Sequence, residues 1–452
     1  MNPSPERALP RRRTRSPAKV IAGSFLGAIA VGTLLLWLPW SHAPGETVTL
    51  LDALFTATSA LCVTGLTVVD TASAWSTLGQ TLIMLLIQAG GLGIVTLGTL
   101  VALALGRRVG FQERLRTAAQ LSALEPGGVL RLVRTIFLIS LGFETLGALL
   151  LYPTFAALHG PGWGVFYAFF HAVSAFNNAG FALYPDNLTR FAVDPAVNLV
   201  LAGLFIVGGL GFIVHLNVWA RLRRGRRFPL TLHSKIVLLT TLILCLGGAA
   251  AVTALEWRNP LTLGELSPGG RLLAGFFQGV SPRTAGFNTL DYSTLREPTL
   301  LVTMLLMFVG GSPASTAGGI KTVTFFVLVA SAWSMVRGHG ELTVYGRRVT
   351  MATVVKAGSV ALLSSGIALG ALLLLNLTQP LSLLEVVFET FSAFGTVGLS
   401  MNATTDLNSL GRLIVVALMY LGRIGPLTFA VALVQSPQGD PLKYPDEGVL
   451  IG

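Results

Sequence analysis

FTATSALCVTGL (55–66), FHAVSAFNNAGF (170–181), FFQGVSPRTAGF (276–287) and FETFSAFGTVGL (388–399) align without gaps. Phe opens each stretch, and a glycine stands ten residues later: Gly65, Gly180, Gly286 and Gly398. Each stretch is apolar, but as a helix it is too short to cross a bilayer, which needs about 20 residues. A second set of similar stretches follows each glycine by some 25 residues: QAGGLGI (88–94), VGGLGF (207–212), VGGSPASTAGGIK (309–321) and LGRIGPL (421–427). The four leading glycines are 115, 106 and 112 residues apart, so two registers recur at one period, the mark of an internal repeat. One such glycine is ordinary small-residue helix packing. Four in one register ask for another reason. A short half-helix ending in an irregular loop at membrane depth is tolerated only where it is buried in protein or lines a water-filled cavity. Four of them can surround a single axis.

Working outward, the 452 residues are 52% hydrophobic and only 11% charged, with mean hydropathy +0.71. A soluble domain carries about a quarter charged residues, so an ordinary soluble enzyme and a disordered chain are excluded. Cys62 and Cys245 are the only cysteines, both in apolar stretches, which leaves no disulfide framework and no CxxC metal site. Eight apolar spans are expected, near 20–40, 78–105, 132–152, 196–220, 236–255, 299–336, 357–377 and 411–434. The Arg-rich start runs into a full-length span, which reads as a retained first helix.

Charge alternates along this pattern. Residues 1–19, 106–134, 221–235, 337–356 and the C-terminal tail hold 23 Lys/Arg against 7 Asp/Glu, whereas the segments between paired spans hold 6 Arg against 12 Asp/Glu. The positive-inside rule puts the first group and both termini in the cytoplasm. The net charge of +11 thus reflects topology. A nucleic-acid surface is disfavoured because the basic residues flank membrane spans. RLRRGRR (221–227) is a cytoplasmic stop or touches anionic lipid headgroups.

The organisation that follows is a cytoplasmic tail 1–19, repeat 1 over 20–105, a linker 106–131, repeat 2 over 132–220, a linker 221–235, repeat 3 over 236–336, a linker 337–356, repeat 4 over 357–434 and a tail 435–452. The fold class is an all-α polytopic membrane protein. It has four M1–P–M2 repeats, eight transmembrane helices and four pore half-helices, around one central potassium-channel-like pore.

Four loops of carbonyl oxygens replace the hydration shell of a monovalent cation. The candidate donors are Val63, Thr64 and Gly65; Asn178, Ala179 and Gly180; Thr284, Ala285 and Gly286; and Thr396, Val397 and Gly398. Asp70, Asp186, Asp291 and Asp406 follow the loops. They either concentrate cations at the outer mouth or simply keep an outer loop soluble. No loop carries a carboxylate, which argues against a divalent site. Arg283 lies inside the third loop, suited to holding it through backbone carbonyls.

The third of the second-set stretches breaks its helix with Gly310, Gly311, Ser312, Pro313, Ala314, Ser315, Thr316, Ala317, Gly318 and Gly319. Pro removes a helical hydrogen bond, and glycines weaken the helix on both sides. Arg423 stands in mid-span, where repeats 1 and 2 carry glycine, and a lone intramembrane cation marks function. Lys321 follows the broken segment and snorkels or serves it. Glu144 lies in the apolar span of repeat 2, ten residues past Arg134 and about 15 Å from it along a helix, so its partner is expected on another helix.

These motifs resemble the pore-forming subunits of the Trk/Ktr/HKT potassium-transporter superfamily, over almost the whole chain, and most closely its Ktr-type branch, whose tails KYPDEGVLIG (443–452) also resembles. The resemblance implies four M1–P–M2 repeats with one filter glycine each. It implies K⁺ as the transported ion, since Gly65 stands where sodium-preferring plant members carry Ser. It makes 310–319 an intramembrane gating loop, with Arg423 as an electrostatic barrier below the filter. It further implies a homodimer in the bacterial inner membrane, paired with a cytosolic RCK-domain ring of the KtrA or TrkA kind. ATP or ADP would act through that ring, and Na⁺ is a candidate activator. No cofactor and no nucleotide motif is expected in this chain. A secondary symporter coupling K⁺ to H⁺ or Na⁺ stays open as the alternative. For that reading only Glu144, Lys321 and Arg423 are candidate midplane groups.

Overall fold

A computed structural model describes residues 17–93, 129–225, 228–338 and 340–425. The chain is almost entirely helical. Its elements are α1 (Pro17–Trp37), α2 (Leu50–Cys62), α3 (Thr77–Gly91), α4 (Val129–Phe176), α5 (Pro195–Leu210), α6 (Phe212–Arg224), α7 (Leu232–Glu256), α8 (Pro268–Val280), α9 (Glu297–Phe308), α10 (Thr322–Val336), α11 (Met351–Thr378), α12 (Leu383–Gly395) and α13 (Ser409–Ile424). A two-stranded antiparallel hairpin, β1 (Thr343–Val344) and β2 (Arg347–Arg348), follows α10.

Local chemistry starts the helices where the sequence turns polar. Thr49 and Asp52 form a capping box on α2, and Ser382 and Glu385 form one on α12. Ser267 caps α8, followed by proline at the first helical position. The core of the molecule is made by these three short helices and the second arm of α4. Phe55, Phe170, Phe277 and Phe388, the Phe that opens three of the stretches and its neighbour in the third, are fully buried. Long helices α7 and α11 and the first arm of α4 instead expose many large apolar side chains, among them Leu149, Leu246, Leu362 and Leu377. An apolar exterior around a core holding Glu144, His171, Asn177, Glu389 and Arg423 is the distribution of a chain whose solvent is lipid.

One feature departs from the sequence expectation: the 196–220 span is two helices, α5 and α6, bent by 98° at Gly211. The 132–152 span and the half-helix of repeat 2 are the two arms of α4, separate helices that meet at non-helical Gly160 (φ 79°, ψ 167°) before Pro161. The four glycines and Pro313 of 310–319 do break their helix as expected, into α9 and α10. Among the described residues, α4 over 133–176, α7 and α11 are each long and apolar enough to cross a membrane, and α5 with α6 qualifies only as a bent pair. The parts of the 78–105 and 411–434 spans beyond residues 93 and 425 lie outside the described residues, as do residues 106–128 of the first linker, residues 1–16 and the C-terminal tail.

Candidate functional site

Each short helix runs into a loop of one repeated conformation. Two residues before each glycine the backbone is left-handed: Val63 (φ 57°), Asn178 (59°), Thr284 (63°) and Thr396 (50°). The glycines are positive too: Gly65 (94°), Gly180 (70°), Gly286 (76°) and Gly398 (92°). For β-branched Val63, Thr284 and Thr396 this is strained backbone, held only because the surroundings over-determine it. The four glycines meet at one point. A methyl group built on Gly180 would stand 2.7 Å from Cα of Gly286; one on Gly398 would be 3.0 Å from Cα of Gly65; one on Gly65 would be 3.2 Å from Cα of Gly180. No side chain fits there.

Among the described residues, Gly180 is the one member of the twelve candidate donors whose carbonyl accepts a hydrogen bond, from Asn187 Nδ2 at 3.4 Å. Buried backbone carbonyls are nearly always paired. The other eleven accept no hydrogen bond from a protein donor among the described residues.

A serine in each short helix or its last turn fixes the loop. Ser59 Oγ accepts from Gly65 N–H at 3.0 Å, and Ser392 Oγ accepts from Gly398 N–H at 3.1 Å. Ser174 Oγ donates to Phe181 O at 2.7 Å, and Ser281 Oγ donates to Phe287 O. These serines were visible in the aligned stretches, displaced by one in the third, yet a buried serine on an apolar helix carries no signal until its partner is known.

A second set of side chains reaches the chain as it leaves each loop. His171 Nε2 accepts from Leu183 N–H at 3.2 Å, Gln278 Oε1 accepts from Thr289 N–H at 3.2 Å, and Glu389 accepts from Ser400 Oγ and, at 2.6 Å, Thr404 Oγ1. Beyond these loops opens a vestibule of about 620 Å³ lined by Gly65, Gly180, Gly398, Asp70, Asp186 and Asp291 among others. Asp406 is not among its lining residues, which end at Thr405. Burial alone would raise the Asp186 carboxyl, but hydrogen bonds from Arg190 and Thr189 outweigh it and hold the group below the usual carboxylate range. Arg190 pairs with it at 2.7 Å.

On the opposite side lies the segment between α9 and α10. Gly310 N–H donates to Ile320 O (2.9 Å) and Thr322 N–H to Gly311 O (3.0 Å), so the two ends of the segment are clasped together. Its interior rests on the bend of α5. Ser312 N–H donates to Gly209 O at 3.0 Å, and Phe212 N–H returns a bond to Ala314 O at 3.0 Å. Thr316 is the junction. Its hydroxyl donates to Asn178 Oδ1 at 2.6 Å, while its carbonyl accepts from Arg423 Nη1. Arg423 Nη2 also donates to Gly90 O at 2.5 Å. Lys321 Nζ bonds Ala317 O at 2.8 Å, which turns it back onto its own loop. A side chain on Gly318 would run into Thr396 Oγ1. The segment therefore abuts the inner residues of loops two and four.

Arg283 bonds backbone carbonyls: its guanidinium donates to Gly310 O at 3.0 Å and Thr241 O at 3.4 Å, which belong to the broken segment and to α7. Three cationic side chains, Arg283, Lys321 and Arg423, thus end on carbonyls of one segment, and no carboxylate pairs with them among the described residues. Glu144 finds its partner across the helices, as expected: Asn177 Nδ2 donates to Glu144 Oε1 at 3.0 Å and to Gln88 Oε1 at 2.9 Å.

Comparison with known proteins brings these observations together. The TrkH family model, described as a cation transport protein, matches residues 8–444. The chain is 44% identical over 438 residues to the Ktr system potassium uptake protein B of Bacillus subtilis, covering 97% of both chains. It is 42% identical to the protein of the same name from Vibrio alginolyticus, over 96% of this chain and 94% of the relative. It is 38% identical to the potassium/sodium uptake protein NtpJ of Enterococcus hirae, over 98% of both. The crystal structure of the potassium transporter TrkH from Vibrio parahaemolyticus superposes with TM-score 0.76 at 18% identity, over 95% of this chain and 86% of that one, a likeness of fold.

Proposed function

The chain belongs to the TrkH family of cation transport proteins, and from that premise we propose that it carries K⁺ inward through a channel-like pore with four repeats and eight membrane spans. The observation that carries this reading is the meeting of Gly65, Gly180, Gly286 and Gly398 amid eleven carbonyls that accept no hydrogen bond among the described residues. Val63, Thr64, Asn178, Ala179, Thr284, Ala285, Thr396 and Val397 supply the other ligands of the candidate filter. A dehydrated monovalent cation fits a ring of neutral carbonyl dipoles. Asp70, Asp186 and Asp291 raise its concentration in the vestibule.

Residues 310–319 act as the gate. With Arg423 and Lys321 they place a backbone obstruction and positive charge directly inward of the filter. A cation leaving the filter meets both, so flux requires the segment to move. Opening breaks the Thr316 contacts first, since Thr316 alone bonds both the filter residue Asn178 and Arg423. The reading includes a homodimer in the inner membrane with both termini cytoplasmic, and a cytosolic nucleotide-binding ring that moves the gate. It is the ring that would bind ATP or ADP; Na⁺ activation belongs to the same proposal.

The test is cation flux into liposomes holding the purified protein, with K⁺, Rb⁺, Na⁺ and Li⁺ compared at fixed voltage, beside Gly65→Asp and Gly398→Asp. Passive flux that favours K⁺ and Rb⁺ and changes in both variants is the expected result. Uptake that needs a proton gradient at clamped voltage would replace the channel with coupled symport.

A further inference from the structure

The bend at Gly211 has a consequence for the surface. Helix α5 begins beside the vestibule, where Ala192 lines it, and its 16 residues rise about 24 Å. A hydrocarbon core of about 30 Å is then nearly crossed when the chain turns by 98° into α6. Helix α6 accordingly runs nearly at right angles to α5, the disposition of an amphipathic helix lying along a membrane interface. Asn217 ties it there: its Oδ1 accepts from Thr231 N–H at 3.0 Å, the residue that caps α7.

The outer face of α6 has the chemistry of that depth. Trp219 (56% exposed) and Leu222 (74%) project outward, with Phe228 just beyond the helix. The Arg223 guanidinium sits 4.6 Å from the Trp219 ring centroid, and that of Arg224 sits 4.9 Å from Phe228. No Asp or Glu occurs between residues 195 and 255, so these arginines have no carboxylate along this stretch of chain. Among the described residues none forms a salt bridge. The end of α10 repeats the device. Trp333, Met335 and Val336 are exposed, and Arg337 sits 4.9 Å from the Trp333 ring. It lies on the same side, because the hairpin after α10 brings Tyr345 within 5.1 Å of Lys235 Nζ in the first turn of α7.

The geometry points to an anionic-phospholipid site: the exposed aromatic and aliphatic side chains of α6 enter the acyl boundary, while Arg223, Arg224 and Arg337, held on aromatic rings, take the phosphates of phosphatidylglycerol-type headgroups. Protein partners are disfavoured because the apolar side chains stand singly between cations on a helix lying at right angles to α5, at bilayer depth. The inference rests on the membrane reading above but not on the filter.

The test reads Trp219 fluorescence in the full-length protein reconstituted into bilayers, quenched by brominated phosphatidylglycerol or brominated phosphatidylcholine. Subtracting the signal of Trp219→Phe isolates this residue. Phosphatidylglycerol is expected to quench more strongly, with Arg223 and Arg224 each contributing about fivefold to the preference at Trp219. Arg223→Ser/Arg224→Ser should bring the two lipids to near parity while quenching of the remaining tryptophans stays unchanged, which reports an intact fold. Equal quenching of the wild-type protein by both lipids, or none by either, overturns the proposal. So does a double variant that keeps its lipid preference and instead loses a cytosolic protein partner. Excess inorganic phosphate should not compete; competition would reassign the site to a soluble anion. The same preference is expected in Gly65→Asp, whether or not that variant conducts, so a failure of the filter reading leaves this result standing.

Discussion

At Gly180 a single hydrogen atom separates two loops. Its φ of 70° costs a residue with Cβ about 1–2 kcal/mol, and the added carbon would press on Gly286 Cα. Gly180→Ala is therefore expected to cut K⁺ flux, or the preference for K⁺ over Na⁺, by at least about tenfold, the equivalent of 1.4 kcal/mol. Unaltered flux and selectivity would show that the four glycines are packing residues only. Thr316 acts in the opposite sense. In the proposed gate its hydroxyl bond to Asn178 stabilises the closed arrangement, and a hydrogen bond of this kind is worth about 1 kcal/mol. Thr316→Val should raise basal flux about fivefold without its regulatory partner. Arg423→Ala should raise it further, because Arg423 both bonds Thr316 and Gly90 and opposes cations. Basal flux equal to wild type in both variants would remove Thr316 and Arg423 from the gate. The unusual charge of Arg423 was legible in the sequence; its partner Thr316 was not. Threonine in a Gly-rich loop is unremarkable until the fold brings residue 178 beside residue 316.

Among elements, the repeat is carried by helix against loop. A side chain at Gly90, Gly208 or Gly422 would collide with the carbonyl of Leu61, Phe176 or Phe394, each four residues before its loop glycine. The two sequence registers are thus the two halves of one contact, which explains why they recur together. Repeat 3 lacks it, and there the helix opens into the 310–319 segment. The bend between α5 and α6 follows from the same segment: a side chain on Gly211 (φ 91°) would come within 2.7 Å of Pro313 O. The short helices are also tied to the ring around them. Arg412 at the start of α13 donates to Asp52 at the start of α2 at 2.6 Å, joining the last repeat to the first. Arg412→Ala leaves a largely buried carboxylate with only its capping bonds and should lower stability by about 3 kcal/mol. A thermal-unfolding series in detergent checks it; an unchanged midpoint would make the pair incidental.

For the whole molecule, the proposed filter and the proposed gate lie one behind the other. The vestibule narrows to the four glycines, and the α9–α10 segment closes the far side, clasped at its neck by Gly310–Ile320 and Thr322–Gly311. That clasp permits removal of the loop without unravelling α9 or α10. Deleting 312–317 is expected to leave a folded pore with constitutive cation leak. A deletion protein that elutes as a folded species yet stays tightly closed would move the gate elsewhere.

Sequence alone settled the membrane character, the fourfold repeat of glycine registers, the break at 310–319 and the oddity of Arg423. All of these are matters of composition, period or a residue out of place, which need no partner to be seen. The tertiary structure alone decided the left-handed residues that precede each glycine, the serines and the His171, Gln278 and Glu389 side chains that hold the loops, and the turn at Gly211. It also sent Arg283 to Gly310 and Glu144 to Asn177, and left Asp406 off the vestibule. The reason is physical. A buried hydrogen bond depends on which atoms lie within about 3 Å, and here those atoms come from segments tens to hundreds of residues apart, whose meeting no local pattern records.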